Sequence, residues 1–129
     1  MSAALTDLRQ RYDKDVVVVE TAYPWTLGSN DPAANLLGED SLIDGYPASI
    51  DGQARFLEAL AAAVRDAGGL GVIYWEPAWI STECSTRWGQ GSHWENAALF
   101  DFDGRLHDGA RFLENAGADR RPEPVKLDD

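Results

Sequence analysis

Val16-Val-Val-Val-Glu20 and, further along, Leu70-Gly-Val-Ile-Tyr-Trp-Glu76 are the two stretches on which the fold turns. Four β-branched residues in a row, without polar alternation, predict a strand buried on both faces. The second stretch is equally apolar and is halted by Pro77. A helical pattern precedes each strand. Over Ser2–Lys14, Ala4, Leu5, Leu8 and Tyr12 recur at helical spacing, and Arg9, Arg11 and Lys14 lie near the end, where the helix dipole favours cations. Over Ile50–Ala67, Phe56, Leu57, Leu60 and Val64 form an apolar stripe. Ser49 is placed to cap that helix, Asp51 sits in its first turn, and Gly68-Gly69 stops it. Amphipathic helices alternating with buried strands define an α/β fold with a parallel sheet. Two strands alone would leave the sheet edges uncovered.

Each strand runs into a long irregular stretch. Residues 21–48 are punctuated by Pro24, Gly28, Asn30, Asp31, Pro32, Gly38, Gly45 and Pro47. Tyr23, Trp25 and Tyr46 give this stretch apolar surface to fold around, so it reads as an ordered functional loop. The second stretch spans about Ala78–Asn96. Ala97–Phe102 is apolar and extended, Asp103-Gly104 signals a turn, and Asp108–Asn115 reads as a short helix closed by Gly117. The polar, proline-containing residues 118–129 read as a disordered tail, leaving 1–117 as the folded part.

At 129 residues the chain is one domain's worth of protein. Its 22 acidic against 11 basic side chains give a formal net charge of −11. That balance argues against nucleic acid and anionic membranes as partners, since both select basic faces. No apolar run approaches a membrane span, and Met1–Arg9 has no signal-peptide core. The single cysteine, Cys84, excludes an intrachain disulfide and a multi-cysteine zinc site, and reads as an incidental thiol.

The chemistry sits where the strands end. Glu20 and Glu76 each terminate a strand and open a long loop, the position at which α/β folds build their sites. A Glu buried there is costly unless paired or used. The five tryptophans, Trp25, Trp75, Trp79, Trp88 and Trp94, all lie in the loops or at the mouth of the second strand, away from the helix stripes. Indole faces beside carboxylates suit sugar rings, which offer apolar C–H faces and hydroxyls. Packing of the loops on one another is the plainer alternative. Glu20 and Glu76 could formally be the carboxyl pair of a glycosidase.

Five ordered motifs then become recognisable: Glu20-Thr-Ala-Tyr-Pro-Trp-Thr26; Gly45-Tyr-Pro-Ala-Ser49 with Gly52-Gln53; Tyr74-Trp-Glu-Pro-Ala-Trp-Ile80; Gly91-Ser-His-Trp-Glu-Asn96; and Ala98-Leu-Phe-Asp-Phe-Asp-Gly104. Together they resemble the C-terminal part of glycoside hydrolase family 53, the endo-β-1,4-galactanases, over nearly all of residues 5–106. The resemblance implies a segment of a (β/α)8 TIM barrel, strands seven and eight with flanking helices. It implies a retaining glycosidase acting on β-1,4-galactan or galacto-oligosaccharides, the galactan side chains of pectin, with no cofactor. Glu20 matches the catalytic nucleophile and Trp75 the tryptophan beneath the sugar at the cleavage subsite. Trp94 resembles part of the substrate groove, with Tyr23 and Trp25 shaping it beside the nucleophile and Glu76 in a groove or structural role. The family's acid/base glutamate follows an asparagine, and no Asn-Glu dipeptide occurs here. The acid/base is therefore expected outside this chain, with a missing N-terminal half-barrel as a possible partner. Some bacterial relatives have an Asp-Gly-rich calcium loop after strand seven. Leu27–Asn35 does not match it, so no metal is expected. The family is typically secreted or periplasmic, and the absent signal peptide would fit a chain lacking its N-terminal part. A non-catalytic galactan-binding remnant and an inactive gene fragment are the alternatives.

Overall fold

The computed structural model describes residues 1–114 other than 84 and 88. Cys84, Trp88, Asn115, Gly117 and the expected tail 118–129 lie outside the described residues. Helix α1 (Ser2–Tyr12) leads to β1 (Val17–Val18), and α2 (Ile50–Asp66) leads to β2 (Gly71–Val72). β3 (Ser85–Thr86) and β4 (Gly89–Gln90) form a small antiparallel pair. Short 3₁₀ turns occupy Glu39–Ser41, Glu95–Ala97 and Asp108–Leu113.

β1 and β2 pair in parallel, Val17 beside Gly71 and Val18 beside Val72. The regular strands are shorter than Val16–Val19 and Leu70–Glu76, yet the backbone pairing runs past both ends. Leu70 N–H donates to Val16 C=O, Ile73 N–H to Val18 C=O, and Trp75 N–H to Thr21 C=O, each at 2.8 Å. The expected last helix is a 3₁₀ turn, and Ala97–Phe102 begins in another and contributes an isolated Phe100–Leu106 bridge.

Local signals set the helix boundaries. Ser49 Oγ accepts from Gly52 N–H at 3.0 Å, satisfying an orphan donor of the first turn of α2. At the other end Gly68 takes φ 77°, and the N–H groups of Gly68 and Gly69 return to Arg65 and Val64 C=O. α1 stops two residues before Lys14, where Asp13 turns left-handed at φ 50°.

Two apolar clusters form the core. Leu5, Val64 and Ala67 pack with Val16, Val18, Leu60 and Val72, which ties both helices to one face of the sheet. Leu57, Tyr74, Leu99 and Phe112 pack with Ala22, Phe56, Phe100 and Ala110 beneath the loops. The expectation that Val16–Val19 is buried on both faces is corrected: Val17 is 40% and Val19 61% exposed. Side chains alternate across a strand, so Val16 and Val18 meet the helices while Val17 and Val19 point the other way. No described element covers that second face, and Ile73 on β2's edge is also exposed. The stripe on α1 is corrected similarly. Leu5 alone is buried, because α1 meets only one side of α2, and Leu8 and Tyr12 face solvent.

Candidate active site

Because β1 and β2 are parallel, their C-terminal ends lie at one edge, and the segments bearing Glu20 and Glu76 leave the sheet together. The Trp75 N–H to Thr21 C=O bond fixes the residue after Glu20 to the residue before Glu76. Glu20 is exposed, so the cost of a buried, unpaired carboxylate does not arise. Glu76 is half-buried and takes φ 49°, an unusual backbone state for a non-glycine residue. This kink, followed by Pro77, turns the chain from strand to loop and leaves Trp75 and Trp79 each 37% exposed.

The two long loops are stitched into one layer. Trp25 N–H donates to Asn96 C=O at 2.8 Å, and Leu36 N–H to His93 C=O at 2.9 Å. Asn96 Nδ2 donates to Thr26 and Leu37 C=O. Two carboxylates join as acceptors: Asp31 Oδ2 takes Ser92 N–H at 2.8 Å, and Glu95 Oε1 takes Asn30 N–H at 2.6 Å. Glu95, Asn96 and Ser92 are 1% exposed or less. Backbone groups meet Glu95 Oε1 and Asn96 Nδ2, while Glu95 Oε2 and Asn96 Oδ1 are buried without a partner. Trp94 is half-buried and immediately precedes the Glu95–Ala97 turn.

Trp25 and Tyr23 follow Glu20 but point differently. Trp25 is half-buried against Phe102 and His107, with ring centroids 4.8 and 5.4 Å apart, and its Nε1–H donates to Glu95 C=O. Tyr23 is 2% exposed. Its ring stacks on Phe56 of α2 at 4.2 Å, and its hydroxyl donates to Tyr46 C=O and accepts from Ile43 N–H. Its side chain is held in the core and is not presented to solvent.

Sequence reasoning missed Gln53 and Tyr74 as site-supporting residues. Gln53 is fully buried, and its amide reaches Tyr23 C=O and Ala97 C=O at 2.8 and 3.1 Å. The Tyr74 hydroxyl donates to Ala97 C=O at 2.6 Å and accepts from Tyr23 N–H at 3.2 Å. Burial pushes the Tyr74 phenol up to about 12. A signal existed for Gln53: it is a polar residue one helical turn before Leu57, on the apolar stripe. Among the described residues no group of three or more His, Cys, Asp or Glu side chains could hold a metal.

His107 Nδ1 accepts from Gly109 N–H at 3.1 Å and so caps the final 3₁₀ turn. Burial holds its pKa below the usual 6.5, against the opposing pull of Asp101 and Asp108. The unfolded chain therefore binds this proton first as pH falls. Stability contributed by neutral His107 is present above pH 6.5 and is lost on acidification below it. Thermal melting should shift downward from pH 7.5 to pH 5.5. His107→Asn, which keeps an acceptor but cannot titrate, should lose less over that range; an equal loss would contradict the assignment.

The Glycosyl hydrolase family 53 profile matches residues 1–113. An arabinogalactan endo-beta-1,4-galactanase of Cellvibrio japonicus is 56% identical over 98 residues, covering 76% of this chain and 26% of that protein. The arabinogalactan endo-beta-1,4-galactanase A of Emericella nidulans is 36% identical over 105 residues, covering 81% and 27% respectively. The GH53 catalytic domain of Ignisphaera aggregans superposes with a TM-score of 0.80 at 40% identity, over 89% of this chain and 34% of that one. The chain thus spans about a quarter of these curated relatives and about a third of the solved domain.

Proposed function

The chain belongs to glycosyl hydrolase family 53, and on that premise we propose that it carries the nucleophile side of a retaining endo-β-1,4-galactanase site. The observation that carries this reading is the parallel β1–β2 pair, which sends Glu20 and the Trp75-Glu76 segment out of one sheet edge. In this reading β1 and β2 are strands seven and eight of a (β/α)8 barrel, and residues 1–117 belong to its catalytic domain. The substrate is β-1,4-galactan or a galacto-oligosaccharide.

The Glu20 carboxylate attacks the anomeric carbon of the bound galactosyl unit. The glycosidic C–O bond breaks, and the leaving oxygen takes a proton from an acid/base carboxyl supplied outside this chain. Water, deprotonated by that same group, then hydrolyses the galactosyl ester and regenerates Glu20. Trp75 stacks beneath the sugar at the cleavage point. Trp94 and Trp25 line the groove, Glu76 supports its floor, and Tyr23 braces the nucleophile segment from the core. The exposure of Glu20 and Trp75 supports these roles, since a polysaccharide must reach both.

A second reading is favoured by the same exposed indoles, together with the chain's quarter-length coverage of its relatives: galactan binding without cleavage. Calorimetry with galactotetraose beside dinitrophenolate release from a dinitrophenyl β-galactobioside, whose leaving group needs no acid, separates the two. Binding with Glu20-dependent release of dinitrophenolate supports the enzyme. Binding without release supports the second reading, and neither binding nor release contradicts both. In either case Trp75→Ala is expected to weaken binding by about tenfold, the scale of one lost aromatic platform.

A further inference from the structure

Tyr74 joins the loop segments at the sheet edge through its hydroxyl. That one group accepts Tyr23 N–H at 3.2 Å and donates to Ala97 C=O at 2.6 Å. Gln53, fully buried on α2, completes the arrangement by donating to Tyr23 C=O and Ala97 C=O. Both backbone groups of Tyr23 are thus held from the core. Two residues earlier, Thr21 C=O is held by the N–H of Trp75, the residue next to Tyr74. The segment that begins at Glu20 is therefore fixed at two points, and both fixings run through the Tyr74-Trp75 pair.

We propose that Tyr74 is a positioning residue for the glycosylation step: its hydroxyl sets where the exposed Glu20 carboxylate stands relative to Trp75. This role rests on the reading of Glu20 as nucleophile. Among the described residues the exposed Glu20 carboxylate meets no hydrogen-bond donor, so its location follows its backbone. A displacement of about 1 Å at a reacting group can cost about a hundredfold in rate without loss of binding. The Tyr74 ring also packs with Leu57, Leu99 and Phe112. Tyr74→Phe keeps that ring and removes only the hydroxyl.

The test uses the full chain and a dinitrophenyl galactobioside fluorinated at the second carbon of the reacting sugar. Glu20 displaces dinitrophenolate, which departs with the electron pair of its C–O bond and needs no proton. The fluorine slows hydrolysis of the resulting ester, so intact mass reports the labelled fraction and peptide mapping its site. For Tyr74→Phe the maximal labelling rate is expected to fall about tenfold or more while the half-saturating concentration changes less than about twofold. Leu57→Val loosens the same core without touching the hydroxyl, and should label at close to the wild-type rate when both variants are held well below their melting temperatures. Wild-type labelling at Glu20 with an unchanged rate in Tyr74→Phe overturns the positioning role alone, as does an equal slowing in Leu57→Val. A wild-type chain that takes no label, or takes it elsewhere, overturns the nucleophile reading and the positioning role with it. Should Tyr74→Phe fail to fold, Gln53→Glu replaces it: the carboxamide donor to Tyr23 C=O is lost, and the same slowing at unchanged half-saturation is expected.

Discussion

Glu20→Ala is expected to lower cleavage of a dinitrophenyl β-galactobioside by roughly four orders of magnitude or more, the scale on which loss of a nucleophile shows. An activated aryl glycoside is the right substrate because dinitrophenolate leaves without a proton. The reaction then depends on the nucleophile and not on the acid/base, which the proposed reading places outside this chain. The same variant should respond to azide. In the space left by the carboxylate, azide can attack the anomeric carbon from the nucleophile's face while dinitrophenolate departs from the other. The product is an α-galactosyl azide, inverted relative to the substrate. A β-azide would instead place Glu20 on the leaving-group side and make it the acid/base, since two displacements would then separate substrate from product. Undiminished turnover in Glu20→Ala would remove Glu20 from the mechanism altogether. The experiment thus reads the identity of the residue and its face of the sugar in one assay.

The placement of Glu20 at a strand end was legible in the sequence because its signal is positional: a charged residue directly after an apolar strand, followed by a loop rich in aromatics. The helix ends were legible for a related reason. Ser49 and Gly68-Gly69 act through bonds to backbone a few residues away, so their chemistry is complete within a short window. The exposure of Val17 and Val19 was not legible. An unbroken valine run states that both faces can be covered, but the covering elements are remote in sequence, and the described residues supply them on one face only. The polar layer beneath the loops was also hidden. Glu95 and Asn96 look like ordinary loop residues, and only the folded chain brings Asn30, Thr26 and Leu37 against them. Tyr23 shows the limit of carrying a residue's role from its neighbours. Proximity to Glu20 suggested the groove, yet the aromatic partner waiting on α2, Phe56, draws its ring inward.

Gly52→Ala should destabilise this chain strongly, because among the described glycines it brings a new methyl group closest to backbone atoms. Propensity alone predicts a gain, because alanine is favoured over glycine within a helix by about 1 kcal/mol. The packing reverses that sign. A Cβ at Gly52 would stand 1.9 Å from Pro47 carbonyl oxygen and 3.0 Å from its carbon, both backbone atoms. Pro47 cannot turn aside freely, since its ring fixes φ and its carbonyl also accepts Ser49 N–H at 2.8 Å. Relief must come from sliding the start of α2, which pulls Gly52 N–H from Ser49 Oγ and carries Gln53 away from Tyr23. Overpacking of this kind costs about 1–3 kcal/mol, and the lost cap adds about 1 kcal/mol. Urea unfolding should therefore show Gly52→Ala destabilised by about 2–4 kcal/mol. The exposed position Ala59 on the same helix gives the comparison, where Ala59→Gly should cost about 1 kcal/mol through propensity alone. Equal or greater stability in Gly52→Ala would mean that the Pro47–α2 approach is looser than 1.9 Å implies. The two substitutions test opposite signs of the same alanine-glycine exchange, and only tertiary packing separates them. Because Gln53 is the next residue, the clash at Gly52 also couples the start of α2 to the backbone on which Glu20 stands.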